Sequence, residues 1–280
     1  MKRLFSIEFQ KIWMNRSSRI LLISYFIILS FIALIASLKI EIGSFNMRLA
    51  DQGIFNFPYI WHFNTYIAAV LKLFLAIVIV SMMANEYSYG TLKQNLIDGL
   101  SKKEFVLSKF YTVVAMALAS TVYVFLLSLI LGLSFSSYDE TSIIFTDLQF
   151  IAAYFLKLTA FFSFCLFLGI LVKRSAFALG FLLVWNIFEG IVFAILRVGF
   201  FADSPDTARS VMRFLPLESM ANLIKEPFTR LSLIKQIETS IGGAANAKIY
   251  DVQFVDVVIV LAWTVIFVLM SYTILKKRDL

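Results

Sequence analysis

Six stretches of the 280-residue chain are apolar over about 20 residues each, the length an α-helix at 1.5 Å per residue needs to cross roughly 30 Å of hydrocarbon. They run Ile20–Leu38, Thr65–Ala84, Phe110–Phe135, Leu148–Val172, Ser175–Phe201 and Val257–Leu275. The first, third and sixth carry no charge. The second contains Lys72, the fourth Lys157, and the fifth Glu189 and Arg197. At 60% hydrophobic and 15% charged residues, against about 25% charged in soluble domains, neither a water-soluble globule nor a disordered chain fits. The expected fold class is an all-α integral membrane protein with six transmembrane helices.

Flanking charge sets the orientation. Lys2, Arg3, Lys11, Arg16 and Arg19 precede the first span, and Lys93, Lys102, Lys103 and Lys109 lie between spans two and three. Lys173 and Arg174 separate spans four and five, and Lys276, Lys277 and Arg278 follow the last. The two opposite short loops hold Lys39 and Arg48 as basic residues in one and no basic residue, but the acids Asp139, Glu140 and Asp147, in the other. By the positive-inside rule both termini are cytoplasmic. The long outer segment runs against that rule with Arg209, Arg213, Lys225, Arg230, Lys235 and Lys248, but loops near its length obey it weakly.

The chain thus divides into an N-terminal helix (1–19), spans one to five (20–201), an outer segment (202–256), and a last span with a basic tail (257–280). In the first part Phe5, Phe9, Ile12 and Trp13 share one helical face while Arg3, Glu8 and Lys11 point elsewhere. That pattern predicts an amphipathic helix in the membrane interface rather than a cleaved signal or a plain basic flank.

Local chemistry is most specific between spans two and three. Gly90 can end the span-two helix in a left-handed conformation. Thr91 and Gln94 have capping-box spacing, Gly99 offers the next stop, and Ser101 and Glu104 repeat the capping-box pattern ahead of span three. The outcome is a two-turn helix, about 91–98, too short to persist alone in water. On its own terms it is a capped loop that either its own bundle or a partner must hold.

Glu86, Gly90-Thr91-Leu92, Ser101, Phe105 and Ser108-Lys109 resemble the signature that follows the second span in type-2 ABC exporter permeases. The layout resembles that family over nearly the whole chain, and Phe214–Leu223 is similar to its outer segment before the last span. The resemblance implies a membrane-spanning permease subunit, paired with a second permease subunit (same or homologous chain) and docked on a separate ABC ATPase subunit. ATP and Mg would sit on that ATPase, and no cofactor on this chain. The short helix would enter a groove of the ATPase through Lys93, Gln94, Asn95 and Ile97, with the N-terminal helix beside it. Glu86 would hold it by pairing with a basic neighbour. A bacterial-type plasma (inner) membrane is the implied location.

The absence of a G-x-x-x-x-G-K-[ST] stretch agrees with that division of labour. Lys72, Lys157 and Glu189 fall at nearly one depth, so Glu189 is expected to pair with Lys157 or Lys72. Such a level is either a polar lining for a transport path or a structural ion pair with snorkelling lysines, the latter being favoured. Asp256 reads as a boundary charge, and the lone His62 as an interfacial belt residue beside Trp61. Cys165, the single cysteine, is a small core or lipid-facing residue and forms no intramolecular disulfide. No catalytic constellation or metal site is assembled, and nothing points to nucleic acid. A gradient-driven secondary transporter and a non-transporting membrane scaffold or assembly factor are the alternatives. Lipids, peptides, drugs, ions and glycans all remain compatible as cargo.

Overall fold

A computed structural model describes residues 2–42, 45–48, 53–138, 140–202, 204–230 and 250–278. Asp139, Lys235 and Lys248 lie outside the described residues. The apolar stretches fold as helices because an α-helix satisfies every backbone N–H and C=O within itself, which a low-dielectric surrounding demands. In order these are α1 (Lys2–Met14), α2 (Arg16–Ser37), α3 (Tyr59–Val70), α4 (Lys72–Ser88), α5 (Thr91–Ile97), α6 (Lys102–Phe135), α7 (Thr141–Ile144), α8 (Gln149–Val172) and α9 (Ser175–Ile195). A π-turn (Leu196–Phe200), α10 (Pro205–Met212), α11 (Pro216–Asn222), a 3₁₀ turn (Phe228–Arg230) and α12 (Phe254–Lys277) follow. Five helical stretches are long and apolar enough to cross a membrane, or six if the α3–α4 pair counts as one.

The pair is where the structure departs from a straight span two. α3 and α4 are bent by 45° at Leu71, immediately before Lys72. There the hydrogen bonds tighten to the three-residue kind, Leu71 N–H to Ala68 O and Phe74 N–H to Leu71 O, both at 3.1 Å. Beside the all-helical architecture there is one short hairpin. Lys39–Ile42 and Phe45–Arg48 form an antiparallel pair, Lys39 opposite Arg48 and Ile42 opposite Phe45. Ile40, Ile42 and Phe45, β-formers set among polar residues, supply the strand chemistry that a short-loop reading passed over.

α8 is the central helix: 78% of its most apolar window is buried, against 11% for α9 with its π-turn. It packs on α4, α6, α9 and α12. Gly169 permits the α4 approach, since a Cβ there would lie 2.8 Å from Met83 Cβ. A buried hydroxyl cluster joins α2, α6 and α8, with Tyr25 Oη 2.6 Å from Ser120 Oγ and 2.8 Å from Tyr154 Oη. Lys102 Nζ donates to the Arg278 carbonyl at 2.8 Å, and Arg278 Nη2 to the Leu171 carbonyl at 2.7 Å. Those contacts gather the start of α6 and the ends of α8 and α12 at one end of the bundle, the base, where Glu86 also meets Lys11 of α1 and Thr91 of α5. The α10–α11 segment lies at the other end, the crown.

Candidate functional sites

At the base, helix periodicity places three charged residues on otherwise apolar stripes. Lys109 follows Phe105 and Val106 on the buried face of α6, Glu86 follows Met82 and Met83 on α4, and Glu8 precedes Ile12 on α1. All three are buried. Lys109 Nζ donates to Glu86 Oε1 at 2.5 Å and to the Glu8 carboxylate. Lys11 Nζ donates to Glu86 Oε1 at 2.9 Å and lies 3.7 Å from Glu8 Oε1. Two ammoniums and two carboxylates therefore close a neutral network across α1, α4 and α6. Burial alone would lower the Lys11 pKa; Glu86 and Glu8 outweigh it and hold that ammonium above its ordinary value. Glu8 corrects the expected α1 face: it turns inward with Ile12, while Phe5, Phe9 and Trp13 are exposed together. α1 also ends at Met14, and α2 starts after Asn15, whose Oδ1 accepts from Ser18 N–H at 3.0 Å.

The network reaches α5 through one bond, as Thr91 Oγ1 donates to Glu86 Oε2 at 2.5 Å. Thr91 is thereby the first helical residue, and the expected 91/94 capping box is absent. The N-cap is Gly90 at φ 66°, a left-handed conformation that a side chain would disfavour. Gln94 instead donates to Asp98 Oδ1 at 3.1 Å. Gly99 closes the unit at φ 96°, and the second capping box forms as the pattern predicts, Glu104 N–H to Ser101 Oγ at 3.2 Å and Ser101 N–H to Glu104 Oε2 at 3.0 Å. Leu92 is buried and Leu96 packs on the core. Lys93, Gln94 and Ile97 are exposed, whereas Asn95 is half-buried and its carbonyl accepts from Leu100 N–H.

At the crown the expected Glu189–lysine pair does not form. Glu189 accepts from Leu217 N–H at 3.0 Å, Glu218 N–H at 2.9 Å and Trp185 Nε1 at 2.8 Å. Pro216 opens α11 and has no N–H, so Leu217 and Glu218 carry the next unsatisfied donors of that helix, and a buried carboxylate meets them. Lys157 Nζ, at the opposite pole, faces the Ala221 and Ile224 carbonyls at 3.5 and 3.4 Å. The two charges thus bracket α11 in the sense its backbone dipoles favour. Lys72 takes a different position, its Nζ 4.4 Å from the centre of the Phe161 ring.

Two cavities flank α11. One of about 710 Å³ is lined by Asn186, Glu189, Gly190 and Phe193 from α9 and by Arg213 and Asp256, among others. Asp256 is buried and ion-paired to Arg213, so it is a strut between α12 and the end of α10 rather than a boundary charge. The other cavity, about 600 Å³, lies among α4, α8, α9 and α11. Arg197 is exposed on the π-turn.

His62 is a buried strut instead of a belt residue. It stacks on Phe150 with centroids 4.2 Å apart, its Nε2 is 2.8 Å from the Lys225 carbonyl, and Arg230 Nη1 is 3.2 Å from its Nδ1. Because guanidinium only donates, Nδ1 accepts and Nε2–H donates to the carbonyl. Cys165 is fully buried. Among the described residues no group of His, Cys, Asp or Glu side chains is placed to hold a metal ion.

Sequence reading found Glu86 and Glu189 but missed Glu8, Lys11 and Lys109 as partners. The available signal was a charge falling in an apolar helical stripe, strongest for Lys109. A comparison with curated proteins gives no significant match. Residues 54–280, which hold Glu86, Lys109 and all of the crown, match the family described as "Protein of unknown function (DUF2705)", and the chain belongs to that family.

Proposed function

We propose that this chain is the membrane-spanning permease subunit of an ATP-driven ABC exporter, with both termini and α5 on the cytoplasmic side of a bacterial-type plasma membrane. A second permease subunit and a separate ATPase complete the assembly. The observation that carries this reading is the mechanical setting of α5. It is a two-turn helix between two left-handed glycines, exposing Lys93, Gln94 and Ile97, and bonded through Thr91 to a carboxylate that also holds α1 and α6. A helix-in-groove partner seated on the exposed face would push three elements at once. Leu92 and Leu96 give it an apolar seat on the bundle, so displacement of α5 is passed inward. The basic flanks at the base agree with a cytoplasmic side.

The test is co-purification of the ATPase with the wild-type chain and with Lys93→Glu combined with Gln94→Glu. Both sites are exposed, so folding stability should stay within about 0.5 kcal/mol, while recovery of the ATPase falls at least about tenfold, the effect of one lost charged contact. Unchanged recovery, or labelling of Lys93 by an impermeant reagent from outside, overturns the reading. One observation favours a second reading, a gradient-driven transporter: the break in the α3–α4 span with Lys72 at its corner. In vesicles supplied with ATP, transport that stops when the proton gradient alone is collapsed would select it.

A further inference from the structure

The charges at the crown are not all answered by the chain. Lys109 at the base has two carboxylates, and Lys157 has two carbonyls at the long distances of 3.5 and 3.4 Å. Lys72 has a ring face and, among the described residues, no hydrogen-bond acceptor and no ion-pair partner. Both lysines open into the 600 Å³ cavity among α4, α8, α9 and α11. Its one carboxylate among the described residues, Glu226, accepts from Thr229 Oγ1 at 2.9 Å. Lys157 lies eight residues inside the crown end of α8, about 12 Å down its axis. Ammoniums at that depth in an apolar bundle are costly without a counter-charge; Lys157 feels the attraction of Glu218 without an ion-pair contact, and Lys72 has no carboxylate partner among the described residues.

Apart from Asn186, Asn222 and Lys225, the rest of the wall is aliphatic and aromatic, and part of it faces outward. Val70 on α3, Leu73 on α4 and Leu183 on α9 line the cavity and are also 60%, 46% and 61% exposed. A gap with apolar lips that face the surroundings, leading to ammoniums at its inner end, suits a molecule with an anionic head and aliphatic tails. A free anion would gain the charge contact but leave the lips empty. A zwitterionic lipid would cover the lips and offer a phosphate, but it would also bring its own ammonium against Lys72 and Lys157.

We infer that this cavity binds an anionic phospholipid from the surrounding bilayer, its phosphate on Lys72 and Lys157 and its acyl chains leaving between α4 and α9. Basic pockets between membrane helices recognise lipid heads by the same complementarity. The site does not depend on which energy source drives the chain, so it stands or falls separately from the exporter reading.

The experiment is native mass spectrometry of the full chain in non-ionic detergent, offered phosphatidylglycerol or phosphatidylcholine with identical acyl chains. Phosphatidylglycerol should be retained about tenfold better, the effect of a charge-assisted bond. Lys72→Gln should abolish that preference, Lys72→Arg should keep it, and Lys103→Gln, on the exposed start of α6, should leave it unchanged. Equal retention of the two lipids, or a preference that survives Lys72→Gln, overturns the inference. Displacement of the lipid by millimolar inorganic phosphate also overturns it, since an anion alone would then be the occupant. A phosphatidylglycerol with a photoreactive acyl chain gives a check on the wild-type chain alone. Cross-links should centre on Leu73 and Leu183, and cross-links confined to the basic residues of the base would refute the site.

Discussion

The base and the crown solve one problem, charge inside an apolar bundle, in opposite ways. At the base charge meets charge: Glu8, Lys11, Glu86 and Lys109 come from three helices far apart in sequence and cancel one another. At the crown charge meets backbone: Glu189 and Lys157 take the two poles of α11, a helix of seven residues, and Lys72 is left to an aromatic face. A charge–charge network fails as a unit, because deleting one member strands the others in low dielectric. A charge–backbone bracket fails locally, because the freed N–H or C=O groups belong to one short segment. The base therefore behaves as a joint between helices, and the crown as a fitting that α11 can leave without unfolding the bundle.

The sharpest way to break this comparison is Lys109→Met. The substitution leaves two buried carboxylates sharing a half-exposed Lys11, and removal of one partner from a buried pair costs about 3–5 kcal/mol. Thermal unfolding of the purified chain in detergent reads the loss. Adding Glu8→Gln should recover part of it, as coupled neighbours do. A loss below about 1 kcal/mol would mean that the base is no joint.

Glu189→Gln tests the other end. The amide keeps one acceptor oxygen and loses the charge, so the cost falls to about 1–3 kcal/mol, that of a weakened charge-assisted bond. The loss should also stay local. Amide exchange should speed up at Leu217 and Glu218 and remain unaltered in α1 and α6, and faster exchange spreading to the base would merge the two regimes into one.

What the sequence made legible follows the same division. The long apolar helices were readable because hydrophobic length is a one-dimensional property, and α5 because its glycine stops and the Ser101–Glu104 box all fall between Gly90 and Glu104. The α3–α4 bend was hidden because neither Pro nor Gly marks Leu71. Thr91 was misread as a cap because its hydroxyl is drawn away by Glu86, five residues back on another helix. Glu189 was given a lysine partner because side chains can be matched by depth, whereas the N–H groups of α11 exist as donors only once Pro216 starts a helix there. Lys109 was counted for topology, although its place among Phe105, Val106, Thr112 and Val113 already marked it as buried. Long-range partners were the missing information at both ends.

The smallest expected effect separates the ends by titration. Glu218 is half-buried in the first turn of α11. Burial, and then the neighbouring Glu189 carboxylate, raise its pKa above the ordinary 4.5. A carboxyl whose folded value is raised holds its proton better in the folded state, so stability falls as pH climbs from the unfolded value through the folded one. Glu218→Gln removes that penalty. At pH 7 the variant should be the more stable by under about 1 kcal/mol, a figure discounted for partial exposure. Near pH 4 the two chains should melt together. Lys11 has the same sign in another window, since its raised ammonium keeps its contribution at every pH below the ordinary 10.5 and loses it as alkali climbs from there through the raised value. Acidification from pH 7 should thus tighten α11 while leaving Lys11's share of the base unchanged. A Glu218→Gln chain that melts below the wild type at pH 7 would show that the carboxylate serves the first turn of α11 more than burial opposes it.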